Sequence, residues 1–194
     1  MFNELKKYCQ EIVAVSAQEL ELIDNYFEQR ILQKKEYLLE DSSICNFLGF
    51  IAKGSIRHFH IKNGLEKTCD LSFENSWVTD FQSFTSETSG IMNLQAMENA
   101  VIYTIQKENL GKLYRDCPKY ETFGRLMAEE VANRATRIAI ALSSDKPEER
   151  YLNLINNRPD FFRRIPQKHI ANFLGISPES LSRIRARVNK RRKS

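Results

Sequence analysis

Glu179, Ser182 and Arg183 stand in an E-x-x-S-R spacing within the segment SPESLSRIRARV. Residues three and four apart share one face of a helix, so the three side chains would project together. Their chemistry is that of base-edge recognition. Arginine forks onto guanine, glutamate accepts from the cytosine amine, and serine serves either partner. Arg185 and Arg187 lie alongside, Gln167 and Lys168 precede them, and the chain runs on through Lys190, Arg191, Arg192 and Lys193. Such groups position and neutralise a phosphate backbone. An ordinary solvated face would not be so one-sided in its charge. A second constellation is His58-Phe-His60 with Glu66 across a turn. On a strand both imidazoles point to one side, and two histidines with a carboxylate form a set that can hold iron.

The first constellation needs a rigid carrier, and Ile165 to Val188 supplies one. Pro166 is suited to the first position of a helix, where its missing N–H costs nothing. Ile170, Phe173 and Leu174 then recur on one face, and Gly175 permits a left-handed turn. Ser177 followed by Pro178 opens a second helix as cap and first residue, with Leu181, Ile184 and Val188 as its apolar stripe. Ala171 falls where two such helices would touch. Small residue, glycine turn and closing aliphatics in register predict a helix-turn-helix.

Charge is distributed in support of this. The whole chain of 194 residues carries +4, but residues 158–194 hold 11 Lys and Arg against 2 Asp and Glu, a net +9. The other 157 residues hold 18 against 23, a net −5. A basic module for a polyanion attached to a mildly acidic partner is the implied plan. Cys9, Cys45, Cys69 and Cys117 are scattered, with neither CxxC nor CxC, which suggests buried or free thiols rather than disulfides, a zinc site or an iron–sulfur cluster. No leader-like segment and no apolar run of membrane-spanning length is read, so a cytoplasmic protein without membrane partners is expected.

Along the chain, Met1 to Arg30 reads as helical, with a capping box at Ser16–Glu19 ahead of an apolar face. From Ile31 short β-rich runs alternate with turns, including YLLE, CNFLGFIA, SIRHFHI and LEKTCDLSF, with the hairpin signal Asn63-Gly64 between the last two. Ser76 to Gly90 is rich in Ser and Thr and carries Trp77, Phe81 and Phe84. IMNLQAM and AVIYTIQ follow as strands. Glu108 to Arg115 is a short helix, and Glu121 to Leu142 a long one without proline. Its apolar positions Phe123, Leu126, Met127, Val131, Ala135, Ile138, Ala139 and Leu142 form a seam suited to a coiled-coil homodimer. Two reading heads about 34 Å apart are what paired half-sites require. Another helix starts near Asp145-Lys-Pro-Glu148.

This order of elements resembles the Crp/Fnr family of bacterial transcription regulators, most sharply over Pro166 to Arg187 and more loosely over Leu38 to Gly54 and the strands beyond. The resemblance implies an α+β fold: an N-terminal antiparallel β-roll, jelly-roll-like and similar to a cyclic-nucleotide-binding domain, joined by a long dimerisation helix to a helix-turn-helix domain. The implied boundaries are 1–118 for the β-roll sensor with flanking helices, 119–143 for the dimerisation helix and 144–194 for the DNA-binding domain. Glu179, Ser182 and Arg183 look like an Fnr-type reading head for TTGAT-like half-sites. Double-stranded DNA, a second copy of the chain, RNA polymerase and a small-molecule effector are the partners so implied, with no catalytic residue.

Departures from the family narrow the effector. Pro178 stands where the cyclic-AMP receptor subgroup has an arginine, and NKRRKS follows where a wing is usual. The phosphate-clamping Arg-Ser pair has no counterpart, since no arginine occurs between Arg57 and Arg115. Asp80 takes the place of the ribose-binding glutamate, and Lys67 is a point charge without the fork geometry of arginine. Trp77, Asp80 and Lys67 are therefore the candidate effector residues. No cofactor is expected and the effector is not cyclic AMP held in the usual way. Two alternatives stand beside this reading. One is a cupin-like metal enzyme built on His58, His60 and Glu66; the other is a stand-alone ligand sensor of cyclic-nucleotide type.

Overall fold

The computed structural model describes residues 1–193. The side chains of Arg192 and Lys193, part of the basic run noted above, lie outside the described residues, as does Ser194.

Two short helices open the chain, α1 (Asn3–Ile12) and α2 (Ala17–Tyr26). The predicted capping box is formed: Ser16 Oγ accepts from the Glu19 amide at 3.2 Å, and the Ser16 amide donates to Glu19 Oε2 at 2.6 Å. Helix does not continue to Arg30, contrary to expectation. β1 (Glu28–Leu32) begins there instead, and Glu28 to Arg30 pair with Thr104 to Ile102. A ladder partner some seventy residues away satisfies those backbone groups, and no local pattern announces it.

The strands β2 (Tyr37–Leu39), β3 (Phe47–Lys53), β4 (Ile56–Lys62), β5 (Leu65–Ser72), β6 (Trp77–Val78), β7 (Asn93–Ala96) and β8 (Ala100–Gln106) complete two four-stranded antiparallel sheets. Their orders are β1-β8-β3-β6 and β2-β7-β4-β5. Asn63 and Gly64 both adopt positive φ, 53° and 72°, as a two-residue hairpin turn between β4 and β5 requires. The ladder slips between His58 and Phe59, so Cys69 is the extra residue of a bulge. Leu32, Ile51, Ile56, Val78, Leu94 and Ile102 fill the space between the sheets.

The Ser- and Thr-rich stretch after Asn75 contains a helix, α3 (Phe81–Ser86). Helices α4 (Lys107–Asp116), α5 (Lys119–Ser144), α6 (Pro147–Asn157), α7 (Phe161–Arg164), α8 (Gln167–Phe173) and α9 (Pro178–Lys193) follow. α5 is 26 residues long, about 39 Å at 1.5 Å per residue. Its first turns bury Tyr120 and Phe123 in a core shared with α1, α2 and α4. Beyond Met127 most of its apolar positions are open, Val131 being 38% and Leu142 47% exposed. A third core joins the last helices to the roll: Leu71, Phe73 and Met97 pack with Tyr151, Phe161, Ile165, Ile170 and Leu181.

Candidate functional site

α8, the turn and α9 form the expected two-helix unit. Pro166 caps α8 rather than serving as its first residue. Gly175 takes φ +69°, and Ser177 Oγ accepts from the Ser180 amide at 3.2 Å to start α9. Ala171, Leu181 and Ile184 are buried between the helices. That burial turns the other face of α9 outward, and Glu179, Ser182 and Arg183 all lie on it exposed. Hydrogen bonding to Ser177 and to the first-turn backbone holds the Glu179 carboxyl below the usual carboxylate range, so it is ionised and an acceptor. Arg183 Nη2 donates to Ser180 Oγ, 3.2 Å away in its own helix.

The backbone-positioning candidates divide. Gln167 and Lys168 are exposed at the start of α8, and Arg185 is half-buried. Arg187 instead pairs with Glu148 of α6, as does Arg191 at 2.7 Å.

α8 also faces inward, onto β5, through residues that sequence reasoning did not single out. Arg57 is 1% exposed, and its charge is satisfied by Glu66 Oε2 at 2.7 Å, by Thr68 Oγ1 at 2.8 Å and by the Phe59 ring at 4.1 Å. The Asn172 side-chain amide then docks on the backbone of β5. It accepts from the Thr68 amide at 2.5 Å and donates to the Glu66 carbonyl at 3.0 Å. His169 is buried beside them; desolvation, with Arg57 and Lys168 nearby, pushes its pKa down to about 4. Farther along, Arg164 is clamped between Glu74 at 2.7 Å and Glu98 at 2.7 Å, over the Phe73 ring. No local sequence signal marked Arg57, and only its partners reveal its role.

On the opposite face of β4 and β5 lies a groove of about 930 Å³ running along α5. Trp77 and Lys67 line it; Asp80 does not. Asp80 is buried and caps α3, its Oδ1 accepting from the Ser83 amide at 3.1 Å. Gly90 packs so closely on it that an added Cβ would lie 2.1 Å from Asp80 Oδ2. The groove's aromatic end is formed by Tyr8, Phe27, Trp77, Tyr114 and Phe123. His58 and His60 line it too, but their partners differ. His58 Nε2 is 3.2 Å from Ser72 Oγ, and His60 Nδ1 is 3.3 Å from Cys69 Sγ. Burial lowers the His58 pKa, so that imidazole is neutral. Glu66 is turned to Arg57 on the other side of the sheet and does not join them. Among the described residues no group of three or more His, Cys, Asp or Glu is placed to hold a metal ion, and no helix is long and apolar enough to cross a membrane.

Comparison with known proteins points one way. No family model matches the chain. The anaerobic regulatory protein of Pasteurella multocida (strain Pm70) is 27% identical over 198 residues, spanning 91% of this chain and 68% of that protein. FixK2 from Bradyrhizobium japonicum superposes with a TM-score of 0.72 at 13% identity, covering 85% of each chain. A transcriptional regulator of the Crp/Fnr family from Eubacterium rectale gives 0.64 at 16% identity, covering 88% of this chain and 82% of that one. The resemblance to Crp/Fnr regulators thus holds in sequence and in architecture, and the chain carries their fold, a β-roll joined by a long helix to a helix-turn-helix.

Proposed function

We propose that the chain is a cytoplasmic, sequence-specific DNA-binding transcription regulator of the Crp/Fnr type, which reads a TTGAT-like palindrome as a homodimer and answers to a small-molecule effector. The observation that carries this is the outward presentation of Glu179, Ser182 and Arg183 on the free face of α9, on a helix-turn-helix whose contacts and turn are intact. Exposed Lys168 at the start of α8 flanks them with phosphate-binding charge. The open apolar face of α5, from Val131 to Leu142, supports the dimer, because a seam of that length is costly to leave in water. The groove beside α5 supports the effector.

Fluorescence anisotropy with a duplex carrying two TTGAT half-sites in palindrome tests the proposal. Binding to it should exceed binding to a scrambled duplex by at least 10³ and fall by roughly 10³ between 50 and 200 mM salt. Equal binding to both duplexes, or none to either in the presence and absence of cell-extract small molecules, overturns it.

A further inference from the structure

Arg158 ends α6 at the far end of the groove from Trp77, and both line it. Its guanidinium lies over the Phe73 ring at 5.1 Å and the Phe161 ring at 5.0 Å. Among the described residues it has no ion-pair partner. Its neighbour Arg134, on α5, is already committed, donating to Asp70 Oδ1 at 2.7 Å and to the Leu71 carbonyl at 2.8 Å. Two guanidiniums therefore lie near each other at a half-buried place, with Asp70 bonded to Arg134 and Asp160 also near Arg158. Burial, then the nearby Arg134, press against the Arg158 charge, and Asp70 and Asp160 offset this only in part. A charge withdrawn from water without a counter-ion is costly, and a carboxylate taken up in fork geometry would relieve it.

The rest of the groove wants a different chemistry. Met127, Ala128 and Val131 of α5 and Leu48 of the roll give the groove an apolar stretch, with His58, His60 and Lys67 also on its lining. Phe123 and Arg134 are eleven residues apart, about 16 Å of helix, a span that a medium-length acyl chain covers. At the aromatic end Trp77 keeps a buried indole N–H without a partner among the described residues. A cyclic nucleotide does not match this: α3 is short, and its N-terminus is closed by the Asp80 carboxylate.

Resting on the reading of this groove as the effector site, we infer that its ligand is an amphipathic monocarboxylate. Its carboxylate sits on Arg158 beside Arg134, and its acyl or aryl body lies along α5 toward Trp77. Trp77 is the sole tryptophan of the chain and so reports on the site directly.

The test titrates the full chain, without DNA, with sodium laurate below its micelle concentration, reading Trp77 emission and binding heat. Dodecanol supplies the same chain without the charge, and inorganic phosphate the charge without the chain. Laurate should bind saturably, one per chain, with phosphate giving no response and dodecanol binding at least tenfold more weakly. Arg158→Gln should weaken laurate about tenfold and leave dodecanol unchanged, while Arg158→Lys retains part of the gain. No saturable laurate response, equal binding of laurate and dodecanol, or laurate binding indifferent to Arg158→Gln each overturns the inference. Should Arg158→Gln not fold, the laurate–dodecanol comparison on the unaltered protein decides. DNA binding is measured separately, so failure here leaves the regulator reading standing, and the converse holds.

Discussion

Asn172 of α8 grips the backbone of β5, accepting from the Thr68 amide and donating to the Glu66 carbonyl as a neighbouring strand would. This side chain adds to the shared core and the Arg164 clamp in holding the reading unit to the roll. Asn172→Ala removes both bonds and leaves a strand amide without its partner. The expected loss is about 1–3 kcal/mol, since each hydrogen bond contributes roughly 0.5–1.5 kcal/mol net. Thermal melting should show a fall of several degrees, and hydrogen exchange should show Thr68 losing protection while β3 and β8 keep theirs.

Acid should loosen the same junction. His169 has its pKa lowered to about 4 by burial and by the positive charges of Arg57 and Lys168, with Glu66 opposing. The unfolded chain, with histidine near 6.5, takes up that proton first. Stability is then full above about pH 6.5 and falls as pH drops toward 4. His58 acts in the same direction. Urea midpoints compared at pH 7.5 and 5 should fall, and fall less in His169→Gln. A midpoint flat across that range would refute the assignment.

Base readout predicts a selective loss. Arg183→Ala should cost about 1–3 kcal/mol on the cognate palindrome and relax discrimination at a single base pair. Lys168→Ala should weaken all duplexes alike and lower the salt slope by about one. Uniform loss in Arg183→Ala would make it a phosphate contact.

Dimerisation predicts a change of mass without loss of fold. Val131→Asp places a charge on the open face of α5, outside the buried core though on the wall of the groove. Sedimentation equilibrium should show the variant monomeric at concentrations where the unaltered chain is a dimer, with an unchanged circular dichroism spectrum. A monomeric unaltered protein would sink the dimer.

The Arg164 clamp can be tested by removing the cation. Arg164→Met leaves Glu74 and Glu98 facing each other at the edge of the roll, half-exposed. Breaking such a partly buried network should cost on the order of 1–3 kcal/mol, part of it recovered in Arg164→Met with Glu98→Gln. Denaturant midpoints of the two variants check this.

Local grammar made much of this architecture legible. Ser16–Glu19, Asn63-Gly64 and Ser177-Pro178 each satisfy a nearby backbone group, so each can be read without knowing the fold. What escaped depends on distant partners. Glu28 to Arg30 follow a helical pattern yet pair with β8. α3 was hidden because its cap, Asp80, had been read as a ligand-binding group. The reading head was visible because helix spacing alone places it. Arg57, Arg134 and Asn172 were silent because their meaning lies in residues 9 to 106 positions away. Arg187 shows the same limit, since its partner Glu148 belongs to another helix.

The hairpin of β4 and β5 is a party wall. His60 and Cys69 look into one tenant's room, Arg57 and Glu66 into the other's. Drift on either side is therefore judged twice over. Descendants that exchange the amide at position 172 for a group unable to mimic a strand should be found to have rewritten positions 57, 66 and 68 as well, and with them the shape of the chamber behind.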